Sequence, residues 1–106
     1  MTRPVGQVSD ETWAFEAELW SSESFAAWAF LTLPAEVGDD VRLRAGPPRG
    51  FGSVRVEVSV GGSTWRTSVF PDKARGYVLP VKSAVRRSEG LELGDRVAVR
   101  LSLPEA

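Results

Sequence analysis

The groups able to move a proton in this chain are almost all carboxylates. There are no Cys and no His among its 106 residues. That excludes a Ser–His–Asp triad, a cysteine nucleophile, a disulfide framework and a zinc site built from cysteine or histidine. The carboxylates that fall close together are Glu16 and Glu18, Asp39 and Asp40, and Asp72 beside Lys73. Paired carboxylates can hydrolyse glycosidic bonds, but neighbouring acids of this kind ordinarily form a solvated face. Tyr77 is the single phenol. Gly46–Gly50 contains two prolines and no Lys-Ser/Thr, so it does not read as a phosphate loop. No segment has the spacing of an oxygen-ligand calcium loop. The expectation is a non-enzymatic protein with no catalytic residue, no metal ligand and no cofactor.

The cations offer a second kind of chemistry. The chain has 13 Lys and Arg against 14 Asp and Glu, a net charge of -1. The balance is uneven: residues 1–53 carry four Arg and eight acids, residues 54–106 nine basic residues and six acids. Between Arg66 and Arg87 lie Arg66, Lys73, Arg75, Lys82, Arg86 and Arg87, with Asp72 the one acid. These six are the candidate partner-binding residues, because Lys and Arg supply phosphate and carboxylate contacts. Two features weigh against a nucleic-acid partner. The pI of about 5.4 is acidic, and Arg86 and Arg87 suit the last turn of a helix, where cations favour the macrodipole.

Aromatic side chains offer a third. Trp13 and Trp65 alternate onto apolar strand faces, and Trp28 lies in a run that is apolar on both sides, so core is the expectation for all three. Trp20 alternates onto a polar face. Trp20, with Trp65, is the candidate aromatic contact, since Trp and Arg are enriched at binding sites.

These groups must be positioned by short elements. Trp13, Phe15, Ala17 and Leu19 alternate with Glu16 and Glu18, as in a half-buried strand. Ala27–Leu33 reads as a strand buried on both faces and stopped by Pro34. Pro34 suits a helix start, which places a short helix over Ala35–Arg44, weakened by Gly38. Val54, Val56, Val58 and Val60 alternate with Arg55, Glu57 and Ser59. Gly61-Gly62 then turns the chain back into Ser63–Phe70, a β-hairpin. Tyr77-Val78-Leu79 is a short strand ended by Pro80. Val81–Ser88 fits a two-turn helix with Val81, Ala84 and Val85 inward, capped by Gly90 and covered by Leu91. Arg96–Leu103 alternates once more. Six or seven short strands and two short helices make a mainly β, barrel-like fold. A weak internal echo pairs Leu33-Pro34 with Leu79-Pro80, and Gly38–Leu43 with Gly94–Val99.

Several of these stretches, in this order, resemble a known family. They are Phe15–Trp20, Trp28–Pro34, Gly50–Val56, Trp65–Ser68, Gly76–Lys82, Val85–Arg87 and Gly90–Val97. They resemble the DUF1905 family, a bacterial domain of unknown function, over about residues 12–103. The resemblance implies a single-chain double-split (pseudo)β-barrel. Tyr77–Leu101 is also similar to one half of the AbrB/MazE-type swapped-hairpin regulators and antitoxins. In those, two chains pair into one pseudobarrel and basic residues near the matching Leu-Pro element contact DNA. Lys73 and Arg75 occupy that place, whereas the segment before Leu33-Pro34 is acidic at Glu23. The resemblance transfers a fold and no activity.

The domain reading is an N-terminal arm over 1–11, the barrel over 12–103 and a tail over 104–106. The longest apolar run, Phe25–Leu33, is shorter than the about 20 residues that span a bilayer. It also lacks the basic flank of a signal peptide. A cytoplasmic protein with no membrane partner is therefore expected. The barrel's unpaired edge could dimerise, while pairing of two halves within one chain argues for a monomer. The expected function is a binding or interaction module for a protein or small molecule. The alternatives are a nucleic-acid-binding regulator, and a small-molecule-binding protein or enzyme working without His or Cys.

Overall fold

A computed structural model describes residues 6–9, 11–22, 28–46 and 52–104. The strands are β1 (Gly6–Ser9), β2 (Thr12–Glu18), β3 (Trp20–Ser21), β4 (Ala29–Thr32), β5 (Val54–Val60), β6 (Ser63–Asp72), β7 (Gly76–Val81) and β8 (Arg96–Ser102). The helices are α1 (Ala35–Ala45) and α2 (Ser83–Glu89). The strands form one antiparallel sheet in the order β1-β2-β8-β5-β6-β7-β4-β3. The protein is mainly β and the sheet curls in a barrel-like way. Two stretches of chain produce the curl. Val69 of β6 still pairs with β5, while Phe70–Asp72 pair with β7. Likewise β2 pairs with β8, and beyond Leu19 the chain continues as β3, paired with β4. Thus the two ends of the strand order belong to one nearly continuous segment.

Alternation in the sequence translates directly into the interior. Val54, Val56, Val58 and Val60 are all buried, and Val97, Val99 and Leu101 alternate inward on β8. Registers align Trp13 with Leu101, Leu101 with Val58, and Val58 with Trp65. That row runs across four strands and makes a spine of the core. Each fully buried aliphatic side chain in it contributes about 1.5–3 kcal/mol. The Nε1 atoms of Trp13 and Trp65 have no hydrogen-bond partner among the described residues. Trp13→Phe is accordingly expected to cost under about 1.5 kcal/mol in chemical denaturation, because the lost volume is partly offset by removing an unsatisfied buried donor. A cost above about 3 kcal/mol would show that the indole N–H is engaged.

Helix α1 starts directly after Pro34 and buries Val37, Gly38 and Val41. Gly38 has a packing reason: a Cβ there would lie 3.2 Å from Cδ2 of Tyr77. Helix α2 ends at Gly90, and the Leu91 N–H reaches back 2.8 Å to the Arg86 carbonyl, as the expected cap requires. The same helix end holds the β5–β6 turn. Ser63 Oγ donates to Glu89 Oε2 at 2.6 Å, and the Gly62 N–H lies 3.4 Å from Glu89 Oε1.

Five local expectations need correction. Gly6–Ser9, within the expected arm, forms β1 against β2. Pro80 does not end its strand, since β7 continues to Val81 and Pro80 stands opposite Phe30. The Leu33 N–H donates to the Tyr77 carbonyl, so the odd residues of β7 face β4. Pro80 therefore turns its nitrogen toward the other flank, where β6 pairs only as far as Val78; a proline costs no ladder bond there. Ala84 is exposed, leaving Val85 as the buried residue of α2. Trp28 is 55% exposed rather than core. The second internal echo fails, because Gly38–Leu43 is helical whereas Gly94–Val99 is a turn entering β8. The loop expected over 45–50 lies mostly outside the described residues, as do Phe25 and Ala27.

Candidate ligand-binding face

Strand β4 alternates by chemistry as well as by direction. Ala29 and Leu31 point into the core, so Trp28, Phe30 and Thr32 share the outer face. Trp20 on β3 stands opposite Phe30, and Pro80 on β7 flanks it on the other side. Val78, next along β7, is buried yet lies outside the core cluster, so it belongs to this outer layer.

The rings lock together. Trp20 and Phe30 have centroids 5.0 Å apart at 32°, and Trp28 and Phe30 6.2 Å apart at 27°. Trp20 Nε1 donates to Thr32 Oγ1 at 3.0 Å. The Arg75 guanidinium sits 3.7 Å from the Trp20 ring centroid, a cation–π contact. Arg75 is carried there by a tight loop: Asp72 Oδ1 accepts from the Ala74 and Arg75 N–H groups at 2.9 and 3.0 Å. Trp20 is thus clamped on its edge and covered on one face. Trp28, at the other end of the band, is more than half exposed.

A cleft of about 210 Å³ opens beside Trp28. Trp28, Ala29, Pro80, Val81, Lys82, Ser83 and Arg86 line it. Its floor is apolar and its charged groups are both cations. Arg86 is anchored by Nε donating to the Val81 carbonyl at 3.2 Å. No carboxylate is among the lining residues.

The six candidate cations do not form one patch. Lys82 and Arg86 meet at the cleft. Lys73 and Arg75 lie in the β6–β7 turn, at the far end of β7 from Lys82. Arg66 pairs with Glu57, its cross-strand neighbour, at 3.4 Å. Arg87 is exposed in the last turn of α2. Trp65 is partly buried against the core rather than open. The acids are dispersed too. Glu16 pairs with Arg96 at 3.8 Å, Glu89 holds the hairpin turn, and Asp95 accepts from the Glu92 N–H. Among the described residues no group of three or more acids could hold a metal ion. Sequence reasoning missed Trp28, Pro80 and Ser83 as site residues. The signal that could have found Trp28 is the alternation of large aromatic with aliphatic side chains over Trp28–Leu31.

The family model described as a domain of unknown function, DUF1905, matches residues 15–101. The chain belongs to the DUF1905 family. The match runs from Phe15 in β2 to Leu101 in β8. It therefore takes in the aromatic band, the cleft and both helices of this DUF1905 domain. No curated protein matches the chain. Since the function of DUF1905 is unknown, membership assigns no activity to the face just described. No helix among the described residues is long and apolar enough to cross a membrane.

Proposed function

We propose that this DUF1905 domain is a non-enzymatic binding module whose contact surface is the cleft between Trp28 and Arg86 with the adjoining aromatic band. The observation that carries this reading is the 55% exposure of Trp28 at a mainly apolar cleft whose charged lining residues are both cations, Lys82 and Arg86. An exposed indole is costly to leave in water and is the kind of anchor that binding sites use. Convergent polar groups at the rim of an apolar cleft are the usual means of orienting a ligand. The dispersal of the basic residues, with Arg75 laid on Trp20 and Arg66 on Glu57, disfavours a nucleic-acid track.

The test is a fragment screen of neutral, anionic and cationic compounds read by amide and indole NMR shifts. Hits are expected to perturb the Trp28 indole and the amides of Ala29 and Val81–Arg86. Hits confined to other surfaces, or none at all, would remove the assignment. A random-sequence oligonucleotide is included at two salt concentrations. Salt-sensitive shifts that extend over Lys73 and Arg75 would put a nucleic-acid partner first instead.

A further inference from the structure

We infer that Arg75, laid on Trp20, is a carboxylate-binding site separate from the cleft. This inference is independent of the binding reading above, which concerns the other end of the aromatic band. Geometry gives the first argument. The Arg75 guanidinium carbon lies 3.7 Å from the Trp20 ring centroid. At that distance the group can only lie flat on the ring, because an edge-on approach would drive an N–H into it. The face of the guanidinium is thus spent on Trp20. Its five N–H donors lie in its own plane and point sideways, past the ring. None of them makes a hydrogen bond or an ion pair among the described residues, since Arg75 is held only by its backbone N–H and by the ring.

Preorganisation gives the second. Trp20 is fixed by its Nε1 donating to Thr32 Oγ1 at 3.0 Å and by the Phe30 ring with its centroid 5.0 Å away. The backbone of Arg75 is fixed by Asp72, whose Oδ1 accepts from the Ala74 and Arg75 N–H groups at 2.9 and 3.0 Å. A guanidinium held at its platform and at its backbone gives up little freedom when a ligand arrives.

Charge gives the third. The β6–β7 turn carries two cations, Lys73 and Arg75, against one acid, Asp72. Asp72 is occupied with the backbone of its own turn, and Glu18, two residues before Trp20 on the same strand face, forms no ion pair with Arg75. The field at the fork is therefore positive but small. It suits a single negative charge, while Asp72 and Glu18 oppose the near-double charge of a phosphate group. A carboxylate lying in the plane of the guanidinium takes two parallel N–H···O bonds from it.

The experiment is an NMR titration of the whole chain with acetate, acetamide and inorganic phosphate at constant ionic strength, chloride making up the balance. The Arg75 Nε–H and the Trp20 indole N–H are the resonances read. Acetate should shift both. Acetamide should bind about fivefold more weakly, and phosphate no more tightly than acetate. Arg75→Lys keeps the charge but loses the fork, and should weaken acetate about threefold or more when read at the Trp20 indole. Arg75 is exposed and its turn is held through its backbone N–H, so this variant keeps the fold. Acetate binding to Arg75→Lys as tightly as to the parent overturns the fork. Phosphate binding more tightly than acetate overturns the choice of carboxylate. Shifts that chloride alone reproduces, or an Arg75 Nε–H that acetate does not move, overturn the site. None of these outcomes touches the cleft, which is read at Trp28 and Val81–Arg86.

Discussion

Replacing Leu101 by Ala is expected to lower the unfolding free energy by about 3–5 kcal/mol. Leu101 is fully buried in β8 and aligned between Trp13 of β2 and Val58 of β5. Three strands hold its surroundings in register, so the hole left by truncation cannot close by moving one side chain. Domains of this size have about 5–15 kcal/mol in all, so the variant gives up about a fifth of that margin at the least. Urea unfolding measures it directly, with a lowered midpoint and an unchanged denaturant slope. A loss under about 1 kcal/mol would mean that the Trp13–Leu101–Val58 spine is not the centre of the core.

Gly61→Val is expected to cost about 2–3 kcal/mol, from two separate sources. Gly61 has φ +56°, a conformation that costs a residue with a side chain about 1–2 kcal/mol. In addition, a Cβ at Gly61 runs into Glu89 Oε1, so Glu89 must swing out and release Gly62 and Ser63. That loss is worth about 1 kcal/mol. Of the two turn glycines only Gly61 takes a positive φ, the pattern of a type II′ turn. Gly62→Ala should therefore cost less than 1 kcal/mol, and Glu89→Ala should reproduce only the smaller part of the Gly61→Val effect. Thermal unfolding of the three variants separates strain from the lost clamp. Equal costs at Gly61 and Gly62 would contradict the turn assignment.

Most of the fold was legible because its strands are half-buried. In Val54–Val60 and Arg96–Ser102 a period of two carries the whole signal, and each alternate residue landed where the pattern put it. Pro34 and the Gly90-Leu91 pair marked helix ends for stereochemical reasons that do not depend on tertiary context. The reading failed where a side chain's environment is made by a distant partner. Trp28, Phe30 and Leu31 are all apolar, so hydropathy alone places both faces of β4 inside. The structure instead stacks the aromatic face outward, where Trp20, Phe30 and Trp28 shield one another. Pro80 looked like a strand end because the chain cannot announce that one flank of β7 goes unpaired. Strand β1 was invisible for a similar reason: four residues acquire strand character from pairing with β2, not from their own composition.

The candidate site was half legible. Charge counting found Lys82 and Arg86, which meet at the cleft, but it could not separate them from Arg66 or Arg75. The first of those is neutralised across the strand by Glu57, and the second is spent on Trp20. Both partners come from other strands. The aromatic chosen from the sequence, Trp20, is the clamped end of the band, and the more exposed end is Trp28.

Trp28 is therefore the residue on which the account turns, and Trp28→Ala tests it most directly. The measurement is the affinity of a fragment that perturbs the cleft, compared between the parent chain, Trp28→Ala and Trp20→Ala. Trp28 is more than half exposed, so its truncation should lower stability by about 1 kcal/mol or less. Affinity in the same variant should fall by about tenfold or more, as expected for loss of an anchoring aromatic. Trp20→Ala should weaken binding less, since that ring lies beyond Phe30 and under Arg75. Unchanged affinity in Trp28→Ala, with the fold intact, would contradict the assignment of this face.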